Sequence, residues 1–276
     1  MVIVVLGDLM SDVVAWHAAP LAAGSDTPAR VELHGGGGAG NVAAWLARAG
    51  TPAALVGCVG DDALAEVALA GLAGVDLRVR RVPVARTGTC VVLVAPDGER
   101  TMLPDPGANL ALRRSDVEAG VEGDVLHVSG YALLRAETRP AARRALALAR
   151  ERGLRTSLDP ASAAPLALVP EFLDLAGPVD LLLPNAAEAA VLGDRMWSVA
   201  REVVITRGAE GAQWSNGART LGVPAEPASV TDTTGAGDAF TAGFLSHWPA
   251  DPEAALRRGA ALAAEAVARP GARPAR

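Results

Sequence analysis

The residues best placed to do chemistry stand together near the C-terminal end, in Asp232-Thr233-Thr234-Gly235-Ala236-Gly237-Asp238-Ala239-Phe240. Three small residues lead to an acid, and an apolar stretch, Ala239–Leu245, follows at once. Small residues let an anion approach the backbone, and the free N–H groups of a helix's first turn point at it. The helix dipole adds partial positive charge at the same end. An acid in that company has two readings. Asp238 is a plain N-cap, since Asp is among the best capping residues, or it is a general base facing a hydroxyl while the amides hold a transferring phosphoryl group. Spacing alone leaves both open.

Other spacings are weaker. Asn185-x-x-Glu188 reads by itself as a capping-box variant, with Asn as N-cap and Glu at the third helical position. Gly35–Gly40 satisfies Gly-x-Gly-x-x-Gly with Asp61 further on, as a dinucleotide site would. The preceding Val31-Glu32-Leu33-His34 is not the buried apolar strand such a site follows, so a dehydrogenase is disfavoured. Asp12 alone reads as a strand-end carboxylate, and Gly208 and Gly211 alone as part of a hairpin. The four histidines show no metal-ligand spacing among themselves or with Cys58 and Cys90, which read as buried free thiols.

One compositional fact narrows the chemistry. All 25 Lys-plus-Arg positions are Arg. A Walker A lysine, a protein-kinase strand lysine and a Schiff-base lysine are therefore excluded. Phosphate chemistry here must use backbone amides, Arg, metal or acid–base groups.

Taken in order along the chain, these segments resemble the ribokinase/phosphofructokinase-B family of carbohydrate kinases. Asp232–Phe240 is similar to its C-terminal signature, which implies Asp238 as the base and an anion hole from the amides of Gly235, Ala236 and Gly237. Val4-Val5-Leu6-Gly7 followed by Asp12 resembles its first strand and sugar-binding acid. Gly36-Gly37-Gly38-Ala39-Gly40-Asn41 resembles its glycine signature, implying sugar contacts from Gly36, Gly37 and Asn41. Pro184-Asn185-Ala186-Ala187-Glu188 fits the motif that organises magnesium, water and phosphate. Thr206-Arg207-Gly208-Ala209-Glu210-Gly211 resembles the turn that lies along the nucleotide, implying contacts from Thr206, Gly208 and Gly211. Ala266–Ala272 is similar to a loop that binds a monovalent cation, implying a K+ site at Asp232, Thr234, Ala266, Arg269 and Gly271; its bland reading is a helix stop at Pro270-Gly271. The chain departs from the family at Gly38 and Gly40, where Lys and Ala are frequent, at Met10, and in the short interval Gly193–Glu202.

The resemblance implies transfer of the γ-phosphate of ATP, with Mg2+, to a hydroxyl of a ribose-like pentose, a ketohexose or a sugar acid. A nucleoside acceptor is the alternative. It would need an aromatic slot, for which Trp16, Trp45 and Tyr131 are the candidates. A sugar-binding regulator without turnover is the alternative of another class, and the intact Asp238, glycine hole and Asn185-x-x-Glu188 speak against it.

Such a site needs a scaffold, and the rest of the chain supplies one. Strand-like runs at Val2–Leu6, Ala53–Val59, Val125–Ser129, Arg155–Leu158, Leu181–Leu183 and Val203–Thr206 alternate with helical patterns near Asn41–Ala49, Ala63–Ala73, Pro140–Arg152 and Ala186–Leu192. Two later helices are expected at about Ala236–His247 and Glu253–Ala268. This alternation predicts an α/β protein, a ribokinase-like three-layer α/β/α sandwich on a mostly parallel sheet. Residues 12–34 and 76–103 break the rhythm with short β segments and a turn at Pro96-Asp97-Gly98, which predicts a small β lid on a single domain of residues 1–276. The open edges of a lid sheet would let a second copy pair, giving a homodimer. A net charge of −6 without long like-charge runs disfavours nucleic acid and membrane surfaces as partners. MVIVVLGDLM reads as a first strand and not as a signal peptide, so a cytoplasmic location is the default.

Overall fold

The computed structural model describes residues 1–96 and 99–275. The expected turn at Pro96-Asp97-Gly98 falls outside the described residues in its last two positions. The chain opens with β1 (Ile3–Leu6), then crosses to β2 (Met10–His17) and β3 (Ala29–Gly36). The helix Gly38–Arg48 leads to β4 (Ala53–Gly60), and the helix Ala63–Leu69 to β5 (Val75–Val82). β6 (Gly88–Val94) and β7 (Arg100–Asp105) pair antiparallel. Helices then alternate with β8 (Val125–Ser129), β9 (Arg155–Asp159), β10 (Val179–Leu182) and β11 (Ala200–Thr206). Last come β12 (Ala212–Ser215), β13 (Thr220–Val223) and the helices Ala236–Leu245 and Pro252–Val267.

The large sheet runs β13-β12-β11-β10-β9-β8-β1-β4-β5. It is parallel except where β12 and β13 return antiparallel at one edge. Its two faces are set by the period of two along each strand. In β1, Val4 and Leu6 join Val56, Leu126 and Leu146 on one side, while Ile3 and Val5 join Trp45, Leu55 and Phe244 on the other. Helices Arg139–Glu151 and Arg114–Gly120 close the first layer, and Gly38–Arg48, Ala236–Leu245 and Pro252–Val267 the second. The expected three-layer sandwich is the observed one.

The small sheet has the order β3-β2-β6-β7, antiparallel except for the parallel pair β2–β6. One boundary differs from the expectation. Residues 76–82, expected in the small sheet, belong to β5, which is the edge strand of the large one, parallel to β4 over its whole length. The reason is the helix Ala63–Leu69 before it, which makes a β–α–β crossover that returns the chain parallel. Arg80 then clips this edge to the domain through Asp116 at 2.8 Å and the carbonyl of Ala111. The small sheet's second segment therefore begins at Gly88.

Leu6 is fully buried where β1 enters the site. Leu6→Ala should lower unfolding stability by about 2–5 kcal/mol, the range for a buried Leu truncated to Ala, read as a lower urea midpoint with an unchanged m-value.

Candidate active site

Parallel strands deliver their C-terminal ends to one edge of a sheet, and ligands bind there. In this protein that edge holds a cavity of about 480 Å³. Asp8 enters it from the turn after β1, Ser129 and Asp159 from the ends of β8 and β9, Asn185 from just beyond β10, and Thr206 from β11. The starts of helices Gly38–Arg48 and Ala236–Leu245 form its floor with Asn41 and Asp238, and the small sheet roofs it with Met10, Asp12, Cys90, Met102 and Pro104. The floor is polar and the roof mostly apolar.

The two readings of Asp238 are now separable. The N-cap of its helix is Gly235, in the left-handed conformation at φ 73°, and Asp238 lies in the first turn. A side chain at Gly235 would run into the backbone of Ala272, so this turn requires glycine. Asp238 is free of capping duty. Its Oδ2 accepts a hydrogen bond from Asn41 Nδ2 at 2.8 Å. The carboxylate opens only to the cavity, and burial pushes it up to about 7, with Asp8 and Asp12 adding to the rise and Asn41 and Arg273 opposing it. Among the described residues, the amides of Gly235, Gly237 and Asp238 have no acceptor, while that of Ala236 makes a long bond of 3.4 Å to the carbonyl of Thr233. A Cβ built on Gly237 meets nothing, because the space beyond it is the cavity. These are the features of a backbone anion site beside a base.

Asp12 sits on β2 with its carboxylate against Gly36, where any side chain would overlap it. It accepts no hydrogen bond from a described residue, and burial pushes it up to about 6 against the pull of Arg273. A carboxylate without an internal donor suits two neighbouring hydroxyls. Gly37, at φ 85°, is the N-cap of the helix that carries Asn41 and packs on the carbonyl of Asp8. Glycine signature and first acid thus meet over Asp238.

Asn185 and Glu188 form the full capping box: the Asn185 backbone amide donates to Glu188 Oε2 at 2.8 Å, and the Glu188 amide to Asn185 Oδ1 at 3.0 Å. Here capping and exposure to the cavity coexist, since both side chains line it. Thr206 bridges to Asn185 and also borders a second hollow of about 530 Å³. That hollow is apolar and is built from Gly208, Ala209, Gly211, Phe240, Ala263 and Ala264 among others. It shares Thr206, Thr233 and Gly237 with the first cavity, so the two are continuous. Gly211 lies at φ 89°, and a side chain there would strike the Val223 carbonyl, so the turn requires glycine on both counts.

The residues expected around a K+ ion also converge, and some of their groups are engaged. Asp232 accepts from the amides of Thr234 at 2.7 Å and Gly271 at 2.9 Å, and Arg100 of β7 pairs with it. Burial opposes its charge, yet these partners outweigh burial and hold the carboxyl below its usual range. The Ala266 carbonyl accepts from the Arg269 amide, and the Arg269 side chain pairs with Glu265. The Arg100 guanidinium thus stands against the Asp232 carboxylate.

Two functional positions escaped the sequence reading. Asp8 accepts from Ser129 Oγ at 3.0 Å and the Gly38 amide at 3.2 Å, in the middle of the acidic floor. Asp159 is pushed well above the usual carboxylate range by burial, and further by Glu188 and Asp238. Both are acids at the carboxyl end of a parallel strand, which is the signal that could have found them. Of the aromatic candidates for a nucleoside slot, only Tyr131 lines the cavity. Trp45 is fully buried with its Nε1 on the Ala272 carbonyl, and Trp16 lies under Arg30 on the small sheet.

Comparison with known proteins agrees with this geometry. The model of the pfkB family carbohydrate kinases matches residues 2–276. The chain belongs to the pfkB family. This kinase is therefore a phosphotransferase with a hydroxyl acceptor. It is 35% identical to an ATP-dependent ribose-1-phosphate kinase of Halopiger xanaduensis, over 87% of this chain and 83% of that one. It is 33% identical to a fructokinase of Klebsiella pneumoniae, over 83% and 82%. The crystal structure of adenosine kinase from Sinorhizobium meliloti superposes with a TM-score of 0.88 at 26% identity, covering 99% of this kinase and 95% of that chain.

The raised carboxyl of Asp238 has a cost in the ligand-free kinase. Its folded pKa exceeds the unfolded one, so its contribution to stability is full at low pH and is lost as pH rises through about 7. Asn imitates the protonated acid. Asp238→Asn should raise the Tm at pH 8 by several degrees, and the gain should shrink as pH falls toward 4, as followed by scanning calorimetry across that range.

Proposed function

We propose that this kinase transfers the terminal phosphoryl group of ATP to a hydroxyl of a small sugar, with Asp238 as the base. The observation that carries the reading is Asp238 itself: a carboxylate relieved of capping, raised toward neutrality, in the same helical turn as amides without acceptors. Asp12 and the remaining N–H of Asn41, with the close backbone of Gly36 and Gly37, hold the acceptor's hydroxyls. The attacking oxygen forms its bond to the γ-phosphorus as the bond from that phosphorus to the β–γ bridging oxygen breaks, and its proton passes to Asp238. The amides of Gly235, Gly237 and Asp238 stabilise the charge on the phosphoryl oxygens. The continuous apolar hollow beside Thr206, Gly208 and Gly211 takes the nucleoside end.

The donor set fits a magnesium ion that arrives with the triphosphate. No cluster of described residues could hold a metal by itself, yet Asp159, Glu188 and Asn185 present negative charge and oxygen donors to one wall of the cavity. These residues would hold the ion largely through water, and the ion would neutralise phosphate charge. Closure of the small sheet, tied to the anion loop by Arg100 and Asp232, would exclude water from the reaction. Val31 and Leu33 on β3 and Met102 and Leu103 on β7 are exposed, which supports pairing of two copies through this sheet.

A second reading concerns the acceptor. Arg135 lines the cavity and lies over the Tyr131 ring, 5.6 Å from its centroid, without an ion-pair partner among the described residues. A free guanidinium there favours an acceptor that carries a phosphate or carboxylate, as the name of the Halopiger relative would suggest. Of the aromatic candidates only Tyr131 lines the cavity, and Arg135 lies over its ring, which disfavours a nucleoside base there.

ADP release with Mg-ATP should therefore appear with ribose, fructose, ribose 1-phosphate or a sugar acid, and not with nucleosides. Asp238→Asn should bind ATP normally and lose on the order of 10³-fold in kcat, within the range of about 10²–10⁴ for removal of a general base; an unchanged kcat would remove Asp238 from the mechanism. For the native enzyme, kcat/KM for the acceptor should fall on the acid side with an apparent pKa near 7, because the base must be ionised. Arg135→Gln should raise KM for a phosphorylated acceptor about tenfold while leaving KM for ATP in place.

A further inference from the structure

Arg273 follows the helix stop at Pro270-Gly271 and turns its side chain into the protein, where it is buried. Its guanidinium donates four hydrogen bonds: Nε to Asn41 Oδ1 at 3.2 Å, Nη1 to the carbonyls of Ala68 at 2.8 Å and Ala70 at 2.6 Å, and Nη2 to the carbonyl of Gly36 at 2.6 Å. The backbone is shaped to this side chain. A Cβ on Gly35 or on Gly40 would overlap the guanidinium. Gly40, which stands where the family frequently has Ala, is thus the partner of Arg273, joined to it across more than two hundred residues of sequence.

An arginine that only tied carbonyls together would have no need of Asn41. This one takes the oxygen of the Asn41 amide, which leaves the nitrogen end to face Asp238, where it donates at 2.8 Å. No carboxylate touches the guanidinium among the described residues, so its charge is available at longer range. Burial pulls it down to about 10, and Asp12, Asp238 and Asp8 resist that pull, so it remains a cation at neutral pH. The groups that face Asp238 are Asn41 on the helix Gly38–Arg48, Asp8 after β1, Asp12 on β2, Asp159 at the end of β9 and Arg273 itself; Glu188 stands behind Asp159. Arg100 and Arg135 also line the cavity, but neither counts among the influences on Asp238, and Arg100 is paired with Asp232.

We propose that Arg273 is a positioning residue for phosphoryl transfer: through Asn41 it fixes the Asp238 carboxylate, and its buried charge favours the ionised base. This rests on the reading of Asp238 as the base, and the test separates the two. Selective ¹³C-carboxyl labelling of aspartate, with the Asp238 signal assigned by its loss in Asp238→Asn, gives the titration midpoint without any turnover. In Arg273→Met the midpoint should rise by about one unit or more, the size expected for losing a nearby opposite charge. Arg273→Lys keeps the charge without the bond to Asn41, so its midpoint should stay near that of the native protein while kcat falls about tenfold. Gly40→Ala, which displaces the guanidinium, should raise the midpoint and lower kcat, and it carries the test if Arg273→Met does not fold. An unmoved midpoint in Arg273→Met or, failing that, in Gly40→Ala, with kcat within about twofold of native, would reduce Arg273 to a structural plug. A moved midpoint in a protein that Asp238→Asn does not inactivate would overturn the base and leave the coupling.

Discussion

Like charge gathered at the carboxyl ends of parallel strands is the constraint on which the rest of this site depends. Asp8, Asp12, Asp159, Glu188 and Asp238 share one cavity. Carboxylates drawn out of water near one another cannot all ionise freely, and burial raises each of the last four. In a chain without lysine, the positive potential of the protein that answers this comes from backbone amides without acceptors at the start of the helix Ala236–Leu245, the buried guanidinium of Arg273, and Arg135 on the cavity wall. The site is therefore electrostatically incomplete by itself, and any charge brought into it also tunes the Asp238 carboxyl.

Close approach is the second requirement, and glycine meets it at a few positions only. Gly36 makes room for the Asp12 carboxylate, Gly235 for the Ala272 backbone, and Gly40 for Arg273. Each of these contacts joins segments far apart in the chain. The C-terminal segment, from Gly271 to Arg273, is consequently a structural part of the site: it donates to Asp232, packs under the anion loop, and reaches Asn41.

The two sheets divide the work. The large sheet supplies the polar floor, with Asp238, the amides beside it and the strand-end acids in fixed relation. The small sheet supplies an apolar roof, and Arg100 on β7 couples it to Asp232 in the anion loop. Between floor and roof the cavity wall carries Tyr131 with Arg135 over its ring.

Much of this was legible in the order of residues. The alternation of apolar runs with helical patterns specifies a parallel sheet between two helical layers, because a strand buried on both faces must be apolar throughout and its crossovers must be long. The small-residue turn before an apolar helix shows locally where backbone amides can be left open. Whether Asp238 caps that helix or faces the cavity was beyond local information, and the φ of Gly235 and the contact with Asn41 decided it. The placement of β5 was likewise decided by a crossover, as its own residues suit either sheet. Asp8 and Asp159 carry no motif, and only the meeting of strand ends makes them neighbours. Arg273 is the furthest case: its side chain matters because folding brings Gly35, Gly40 and Asn41 around it. Periodicity and turn chemistry act over a few residues and can be read in sequence, whereas burial, long-range charge and the fit of one segment against another exist only once the chain has folded.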